Sequence, residues 1–448
     1  MKDLTKDSIT RHILTMAAPI AAGMLVQMAY TLIDLYFVSQ LGDAAIAGVR
    51  SAGNAAMVVF ALAQVLGVGT VAVIAHAVGR KDQADANVVF NQALGLSALC
   101  GVFTLLAGSL LIHSYMRSLA ADAATVEAGV SYFLWFLPGL ALQFAMLAMG
   151  SALRGTGIVQ PTMIVQMLTV VINAILAPVL IAGWGTGYPL GVAGAGLASS
   201  IAIAAGVVML WVYFHKLEHY VAVDTALMRP IRKHWARILK IGLPAGGEFA
   251  LLFIYMWVIY HVIRGFGTEA LAGFGIGSLW LQAILLPAMA IAFAAGPIAG
   301  QNFGAKNYAR VRESFRKAVV LGTIVMLLIT ALAQWQPEML IGVFTKEAPV
   351  LAVGALFLQM ISWNFVAQGL IFTCSGVFQG LGNTQPALWS SATRLVTFVV
   401  PAFWISTWPD FRIEHVWYLS IATNTLQAAV SLWFIKIEFG RRLGPVTQ

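Results

Sequence analysis

The sequence has very few charged residues for a chain of 448 amino acids. Asp, Glu, Lys and Arg together make up 10% of it, whereas hydrophobic residues make up 60%. Soluble domains carry about a quarter charged residues, so this chain cannot cover a water-exposed surface of its size. The composition therefore excludes a soluble enzyme, a disordered chain and a nucleic-acid binder that works through a basic face. It indicates a membrane protein that crosses the bilayer many times.

Cysteine is also scarce, since only Cys100 and Cys374 are present and they lie in separate apolar stretches. Two such residues are too few for a disulfide framework or a thiolate metal site, so we expect both to be small buried side chains. The charged segment that ends at His12 precedes an apolar run without a small-residue cleavage site. We therefore expect that run to remain as a spanning helix and not to be a cleaved signal peptide.

Twelve apolar stretches are long enough to cross the bilayer, which requires roughly 20 residues in a helix. They lie near residues 13–39, 47–78, 88–112, 128–152, 160–182, 191–214, 239–263, 270–301, 317–336, 348–375, 385–407 and 414–437. Nearly all charges fall between these stretches. Helices satisfy their own backbone hydrogen bonds in lipid, so the pattern predicts an all-α protein and not a barrel.

The basic residues predict the orientation of these twelve spans. An even number of spans places both termini on one side of the membrane, and that side holds 20 of the 26 Lys and Arg residues, against 5 on the other. Cytoplasmic loops are the ones enriched in Lys and Arg. We therefore expect both termini in the cytoplasm and place the protein in a bacterial inner membrane. The net charge of +8 is then explained by loops that face anionic lipid, without nucleic acid as a partner.

The two halves of the chain resemble each other at one constant offset. Pro19 corresponds to Pro244, and the octapeptide LGDAAIAG at 41–48 corresponds to FGTEALAG at 266–273. Further along, RGTGIVQP at 154–161 corresponds to QGLGNTQP at 379–386. No gap is needed anywhere between Pro19 and Pro161, which indicates an internal repeat and not a chance coincidence of Gly and Pro.

Each half contains six spans, so both halves enter the membrane from the same side and the repeat is parallel. We predict two six-helix lobes, residues 1–214 and 239–448, related by a pseudo-twofold axis along the membrane normal. A basic, polar linker at 215–238 would join them on the cytoplasmic surface. Two lobes of this kind can rock around a central cleft, which favours a transporter. The alternative is a duplication that only stabilises a channel or a receptor.

Asp34, Glu248 and Arg394 are the three ionisable residues well inside predicted spans. A charged side chain at the centre of the bilayer costs at least about 2.5–3.5 kcal/mol on insertion scales, so it requires a partner, a wet cavity or a change of protonation. No Lys or Arg lies near the depth of Asp34 in its half of the chain. A carboxyl group without a cationic partner is stabilised in its neutral form when it is buried, which makes Asp34 a candidate proton carrier. Alternatively, it is a neutral acid that serves only packing.

The motifs of this chain resemble those of the MATE (multidrug and toxic compound extrusion) family. They are APIAAGMLVQMAYTLIDLYFVSQLG in the first span, RGTGIVQP after the fourth and QGLGNTQP after the tenth. The resemblance covers nearly the whole chain. It implies export of amphipathic, often cationic compounds in exchange for protons or sodium, with no cofactor and no enzymatic reaction. Small-molecule drugs and membrane lipid are then the expected partners, and a monomer the expected state.

The resemblance also implies a cation-coupling site in the first half. Asp34 matches the acid that the family carries in the first span, Asn173 matches an asparagine of the fifth and Ser199 a hydroxyl of the sixth. The family pattern has a second acid before Pro178, where this chain has Ala177. A sodium site would thus lose one charged ligand, and we expect protons to be preferred, although sodium near Asp34 stays open. Tyr132 is at a similar depth and is either a donor to Asp34 or an interfacial aromatic anchor.

The second half carries a different set of polar residues. Glu248 matches an acid that some relatives have in the seventh span, but the partner acid of the tenth span is replaced by Gln368. Arg394 is about as deep as Glu248 in the eleventh span, so the two residues are candidates for an ion pair, which is often retained without activity. In the first span, Pro19 lacks a backbone N–H, and we predict that the helix can bend there.

Two other kinds of membrane protein are compatible with many spans. A flippase for lipid-linked saccharides would share the spans and the repeat, but it would require a strongly cationic cleft, and Arg394 is the one Lys or Arg well inside a predicted span. An intramembrane enzyme would require a catalytic cluster, yet the sequence contains neither His-Glu-x-x-His nor Gly-x-Ser-x-Gly. We therefore predict an antiporter and keep the flippase as the alternative.

Overall fold

The computed structural model describes residues 1–119 and 122–444, and within them the chain is helical with no β-strand. The first half forms α1 (Ile9–Ser39), α2 (Asp43–Gly79), α3 (Gln83–Leu119), α4 (Ala123–Gly155), α5 (Gln160–Ile181) and α6 (Val192–Lys216). The second half forms α7 (Arg232–Ile263), α8 (Thr268–Gly304), α9 (Tyr308–Trp335), α10 (Pro337–Ile341), α11 (Ala348–Ile361), α12 (Phe365–Leu381), α13 (Gln385–Ile405) and α14 (Ile413–Leu443).

Eleven of the twelve predicted spans coincide with helical segments that are long and apolar enough to cross a membrane. The predicted tenth span is composed of α11 and α12, which a short 3₁₀ turn at Ser362–Asn364 joins into one segment, Ala348–Leu381. The predicted twelfth span is α14, which is 31 residues long but is not among the eleven. Its buried polar residues, such as Asn424 and Gln427, lower its hydropathy. The prediction of an all-helical, multi-span membrane protein is confirmed.

The described chain divides into two compact units. The first contains Met1–Asp3 and Ala22–Gly242, and the second contains Leu4–Ala21 together with the described residues from Leu243 onward. The boundary in α1 therefore falls just after Pro19, and the boundary in α7 falls just before Pro244. The first helix of each sequence repeat thus contributes to both units. The lobe boundaries predicted from the repeat, at 214 and 239, stay a prediction.

Glycine and alanine allow two helices of the second unit to pack closely. Gly376 and Gly380 on α12 face the backbone of α8, where a Cβ atom added to either glycine would overlap the carbonyl oxygen of Ala292 or Gly296. Small residues let helix backbones approach closely in a membrane, where packing replaces the hydrophobic driving force between helices. The repeat places an equivalent crossing between α2 and α4, where Gly155 lies against Ile74. These crossings position α12, which carries Gln368 and Ser375, and α4, which carries Tyr132.

Buried side-chain amides hold the polar segments that precede α1 and α7. In the first unit, Nε2 of Gln92 donates to the carbonyl oxygens of Leu227 and Arg229 at 2.5 and 2.6 Å. In the second unit, Oε1 of Gln301 accepts a hydrogen bond from the backbone N–H of Leu4 at 2.9 Å. The linker is thus fastened along the first unit, and the N-terminal segment along the second.

Candidate functional site

A cluster of four polar side chains surrounds Asp34 inside the first unit. The Ser199 hydroxyl on α6 donates to Oδ2 of Asp34 at 3.3 Å, and the Tyr30 hydroxyl donates to Oγ of Ser199 at 2.6 Å. Nδ2 of Asn173 on α5 lies 3.3 Å from Oγ of Ser199 and 3.4 Å from the hydroxyl oxygen of Tyr30. The fold therefore brings Asp34, Asn173 and Ser199 together from three helices, as the family resemblance implies. We call Asp34, Tyr30, Asn173 and Ser199 the Asp34 cluster.

Two members of the Asp34 cluster are half-buried and two are fully buried, and two of its acceptor atoms lack a donor among the described residues. Asn173 and Ser199 are fully buried. Among the described residues, Oδ1 of Asp34 and Oδ1 of Asn173 are buried without a hydrogen-bond donor, and no Lys, Arg or His forms an ion pair with Asp34. A buried acceptor without a donor is unfavourable. The cluster can thus be stabilised by a proton on Asp34 or by a small cation.

Two observations limit what the cluster can hold. Ala177 is fully buried on α5 and offers no oxygen ligand from its side chain. In the described ranges, no group of three or more His, Cys, Asp and Glu side chains is placed to hold a metal ion. The cluster therefore offers one carboxylate with neutral side-chain oxygens around it.

Tyr132 is buried on α4. Its ring packs against Phe136 with the centroids 5.5 Å apart, and no hydrogen bond from its hydroxyl to Asp34 is present in the part of the chain that the structure describes. The role of Tyr132, as a donor to Asp34 or as an interfacial aromatic anchor, stays a prediction.

Tyr30 was missed at the level of sequence although it contributes the shortest hydrogen bond of the cluster. Two signals could have identified it. Tyr30 is one helical turn before Asp34 on α1, so both side chains lie on one helix face. It also corresponds to Tyr255 in the internal repeat. A polar aromatic residue that recurs in both halves, next to a buried charge in one of them, indicates a functional position.

We predict that Tyr30→Phe reduces ion-coupled transport without abolishing it. The substitution keeps the ring but removes the hydroxyl that donates to Ser199, so Ser199 is no longer fixed as a donor to Asp34. The loss of one such hydrogen bond is of order 1 kcal/mol, which corresponds to a reduction in the transport rate of about fivefold. Initial efflux rates in proteoliposomes would measure it, and Tyr36→Phe, at an exposed position on the same helix, is the control. A rate equal to that of the unmodified protein would contradict the role of Tyr30.

The second unit has two separate polar groups on α7. Glu248 accepts a hydrogen bond from the hydroxyl of Ser375 on α12 at 2.9 Å. Two helical turns further along α7, the ring of Tyr255 lies under the guanidinium of Arg394, whose central carbon is 4.1 Å from the ring centroid. Nη1 of Arg394 donates to Oε1 of Gln368 at 3.4 Å. No ion pair between Glu248 and Arg394 is present among the residues described, so each side chain of the candidate pair contacts neutral partners instead.

The repeat places the same tyrosine beside opposite charges in the two units. Tyr30 donates to Ser199 on α6 at 2.6 Å, and the hydroxyl of Tyr255 lies 2.8 Å from Oγ of Ser420 on α14. Each tyrosine is therefore tied to the last helix of its own repeat. The charge beside Tyr30 is the carboxylate of Asp34, whereas the charge beside Tyr255 is the guanidinium of Arg394. The two units thus carry equivalent scaffolds with opposite polarity.

The sequence matches the MatE family model over two segments, residues 19–179 and 244–404. The second segment repeats the first at the same offset that separates Pro19 from Pro244. The chain is also 23% identical over 422 residues to "Probable multidrug resistance protein YoeA" of Bacillus subtilis, covering 92% of this chain and 90% of that protein. It is 22% identical to "Multidrug export protein MepA" of Staphylococcus saprophyticus, covering 95% of this chain and 94% of the relative.

Solved structures have the same fold. A crystal structure of MATE in complex with MaL6 superimposes with a TM-score of 0.92 at 25% identity, covering 98% of both chains. An outward-facing multidrug resistance MATE transporter of the MOP superfamily gives a TM-score of 0.92 at 24% identity, covering 99% of this chain and 98% of that one. The duplicated family match and the shared helical fold lead to one conclusion: this chain is an integral, multi-pass membrane protein that belongs to the MATE family of transporters and is not an enzyme.

Proposed function

We propose that the protein is a cation-coupled antiporter that exports amphipathic, often cationic compounds by alternating access. The observation that carries this proposal is the Asp34 cluster, in which a half-buried carboxylate lacks a cationic partner among the described residues and its buried Oδ1 lacks any donor there. A charge at this position is unfavourable unless it is neutralised. Its neutralisation by an ion from one side of the membrane is the step that a coupled transporter requires. The names of the curated relatives, a multidrug export protein among them, support drug-like substrates.

We infer that the coupling ion is a proton in preference to sodium. A proton needs only the unpaired Oδ1 of Asp34, whereas sodium requires several oxygen ligands arranged around it. The Asp34 cluster supplies a single carboxylate, because Ala177 occupies the position at which the family resemblance implies a second acid in this half of the chain. A sodium ion bound between the unpaired Oδ1 atoms of Asp34 and Asn173 is the second candidate.

The proposed cycle begins when Asp34 takes up a proton from the non-cytoplasmic side. The protonated carboxyl group no longer attracts the Ser199 hydroxyl as strongly, because hydrogen bonds to a charged acceptor are roughly twice as strong as those to a neutral one. The hydrogen bonds that tie α1 to α5 and α6 through Tyr30 then rearrange. Pro19 removes one backbone donor from α1, and we propose it as the hinge. Substrate leaves outward, and the proton is released on the cytoplasmic side.

The energy of one proton is sufficient for useful export. A membrane potential of 100 mV contributes about 2.3 kcal/mol per charge, and one pH unit contributes about 1.36 kcal/mol. Together they support a concentration ratio of a few hundredfold for each exchanged proton, at about 1.4 kcal/mol per factor of ten. We propose that both termini lie in the cytoplasm, as the distribution of basic residues favours.

The lipid-linked saccharide flippase is not favoured. Such a ligand carries a pyrophosphate, which would be held by several cationic side chains. Arg394 is the one Lys or Arg in the middle of a predicted span, and the relatives named above are described as drug resistance or export proteins.

A monomer surrounded by membrane lipid stays part of the proposal.

Flux into proteoliposomes tests the coupling ion directly. We expect purified protein to move a fluorescent cation such as ethidium when a pH gradient is imposed without sodium. We expect no movement when a sodium gradient is imposed at equal pH on both sides. Protonophore should abolish the first signal, and protein-free liposomes are the control. Transport driven by sodium alone would overturn the preference for protons, and transport with neither gradient would overturn ion coupling.

A further inference from the structure

Arg394 is a cation in the middle of a spanning helix. It is the tenth of the 21 residues of α13 (Gln385–Ile405). A guanidinium at membrane depth is expensive and marks a binding or transport site by default. The repeat does not account for it, because the corresponding residue in the first half is Thr169, whose hydroxyl merely bonds to the carbonyl oxygen of Val165 on its own helix.

The protein does not neutralise the charge of Arg394. The guanidinium stacks on the ring of Tyr255 at 4.1 Å, and Nη1 donates to Oε1 of Gln368 at 3.4 Å. That hydrogen bond is longer than the range of about 2.7–3.2 Å that is ordinary for N–H···O hydrogen bonds. Both partners are uncharged, and no carboxylate forms an ion pair with Arg394 within residues 1–119 and 122–444.

One edge of the guanidinium has no acceptor. Nε is buried without a hydrogen-bond partner among the described residues, and the single hydrogen bond of the group uses Nη1. The Nε–Nη2 edge therefore has two parallel N–H groups without acceptors in the described part of the chain. Two parallel N–H groups match the two oxygens of a carboxylate, which is why arginine binds this group bidentately.

Glu248 does not occupy this edge. Its carboxylate accepts from Ser375, and on α7 it is two turns before Tyr255, the residue under Arg394. Two turns of helix correspond to about 10 Å along the axis. The second unit therefore keeps an acid and a base at different levels of α7, with Ser375 of α12 beside the acid and Tyr255 beside the base.

We propose that Arg394 binds the carboxylate of a transported compound through its Nε–Nη2 edge, so that the second unit selects amphipathic acids and zwitterions. The inference rests on the proposed export function and names a further substrate class for it. Tyr255 holds the guanidinium from one face, and Gln368 fixes its Nη1 end. Both act as positioning residues, and the ligand carboxylate would supply the acceptors that Nε and Nη2 lack among the described residues.

The test compares two dyes that differ mainly in one carboxyl group. Rhodamine 19 has a free carboxylate, and rhodamine 6G is its ethyl ester and a simple cation. Their affinities for purified protein in detergent can be measured by fluorescence anisotropy. We expect Arg394→Gln to lower the affinity for rhodamine 19 relative to rhodamine 6G by about tenfold, because two charge-assisted hydrogen bonds are lost. Arg394→Lys should give an intermediate relative affinity for rhodamine 19, because lysine keeps the positive charge but lacks the two parallel N–H groups of the guanidinium.

Two further variants control for folding and for net charge. Gln368→Glu adds an acid beside the guanidinium and should lower the relative affinity for rhodamine 19 without removing the arginine. Arg264→Gln removes an equal charge at an exposed position of the same unit and should leave the ratio unchanged. The proposal would be overturned if Arg394→Gln and Gln368→Glu leave the ratio of the affinities for rhodamine 19 and rhodamine 6G unchanged. An equal loss of affinity for both dyes is one such result.

The failure of the proposed function would appear in a different measurement. If rhodamine 6G is not exported when a proton gradient or a sodium gradient is imposed, then the proposed export function is wrong. The affinity ratio for the two dyes would still report on Arg394 in the purified protein. A normal export of rhodamine 6G with no effect of Arg394 on rhodamine 19 would leave the exporter intact and remove the acid site alone.

Discussion

Replacing Asp34 with asparagine is expected to abolish pH-driven efflux of a fluorescent cation while the amount of folded protein stays normal. Asparagine has nearly the same shape and can still accept from the Ser199 hydroxyl, which lies 3.3 Å from Oδ2 of Asp34. Its amide cannot gain or lose a proton near neutral pH. The unfavourable charge that drives ion uptake is therefore removed, and the transport rate should fall to that of protein-free liposomes.

The control for this variant is Asp43→Asn. Asp43 is an exposed acid in the first turn of α2, so its replacement changes the net charge equally without altering the Asp34 cluster. Efflux should continue at the unmodified rate in this control. Proton-driven efflux that persists in Asp34→Asn would refute the role of Asp34, and a thermal unfolding scan of both variants would show that the comparison is between folded proteins.

A large effect on stability is expected for Gly376→Val. The added side chain would overlap the carbonyl oxygen of Ala292 on α8, and a backbone atom cannot move aside as a flexible side chain can. Overpacking of this kind costs about 1–3 kcal/mol and occasionally more. We expect a clearly lower unfolding temperature in detergent and less protein in the membrane, because α8 and α12 must separate to accommodate the valine.

Gly440→Val is the matched control for this prediction. Gly440 lies on α14 in the same unit, and a Cβ atom there would meet nothing within 4 Å. Valine also has a higher helix propensity than glycine, so the control should be as stable as the unmodified protein or slightly more so. Equal unfolding temperatures for the two variants would show that α8 and α12 are not packed through Gly376.

The helices could be predicted from the sequence because each is indicated by residues that are close together in the chain. The repeat could be predicted because its offset is constant. A long apolar run indicates a membrane span wherever it occurs. The offset between Pro19 and Pro244 recurs without gaps and can be detected from the sequence alone. The prediction is weakest at the ends of spans and at α14. Asn424 and Gln427 lower the hydropathy of that helix. They are tolerated because they are buried within protein and not in lipid, and a hydropathy average does not distinguish these two environments.

The Asp34 site was predicted in part. A lone acid in a span is noticeable, and the family motif supplied Asn173 and Ser199. Tyr30 was missed because a tyrosine in a spanning helix is also the ordinary anchor at a membrane surface. Its 2.6 Å hydrogen bond to Ser199 joins residues 169 positions apart, and no periodicity along α1 indicates which distant helix faces it.

By itself, the sequence determined that this protein spans the membrane, that it is duplicated, that it has the motifs of its transporter family and that it carries three ionisable residues well inside its spans. Only the tertiary structure decided which side chains each of these three residues contacts. Asp34 faces a serine that a tyrosine and an asparagine hold in place, and Glu248 faces Ser375. Arg394 stacks on Tyr255, and its buried Nε lacks an acceptor in the described part of the chain. The reason is physical: hydropathy fixes which segments enter lipid, but the rotation of each helix, and hence its partners, depends on the packing of all its neighbours at once.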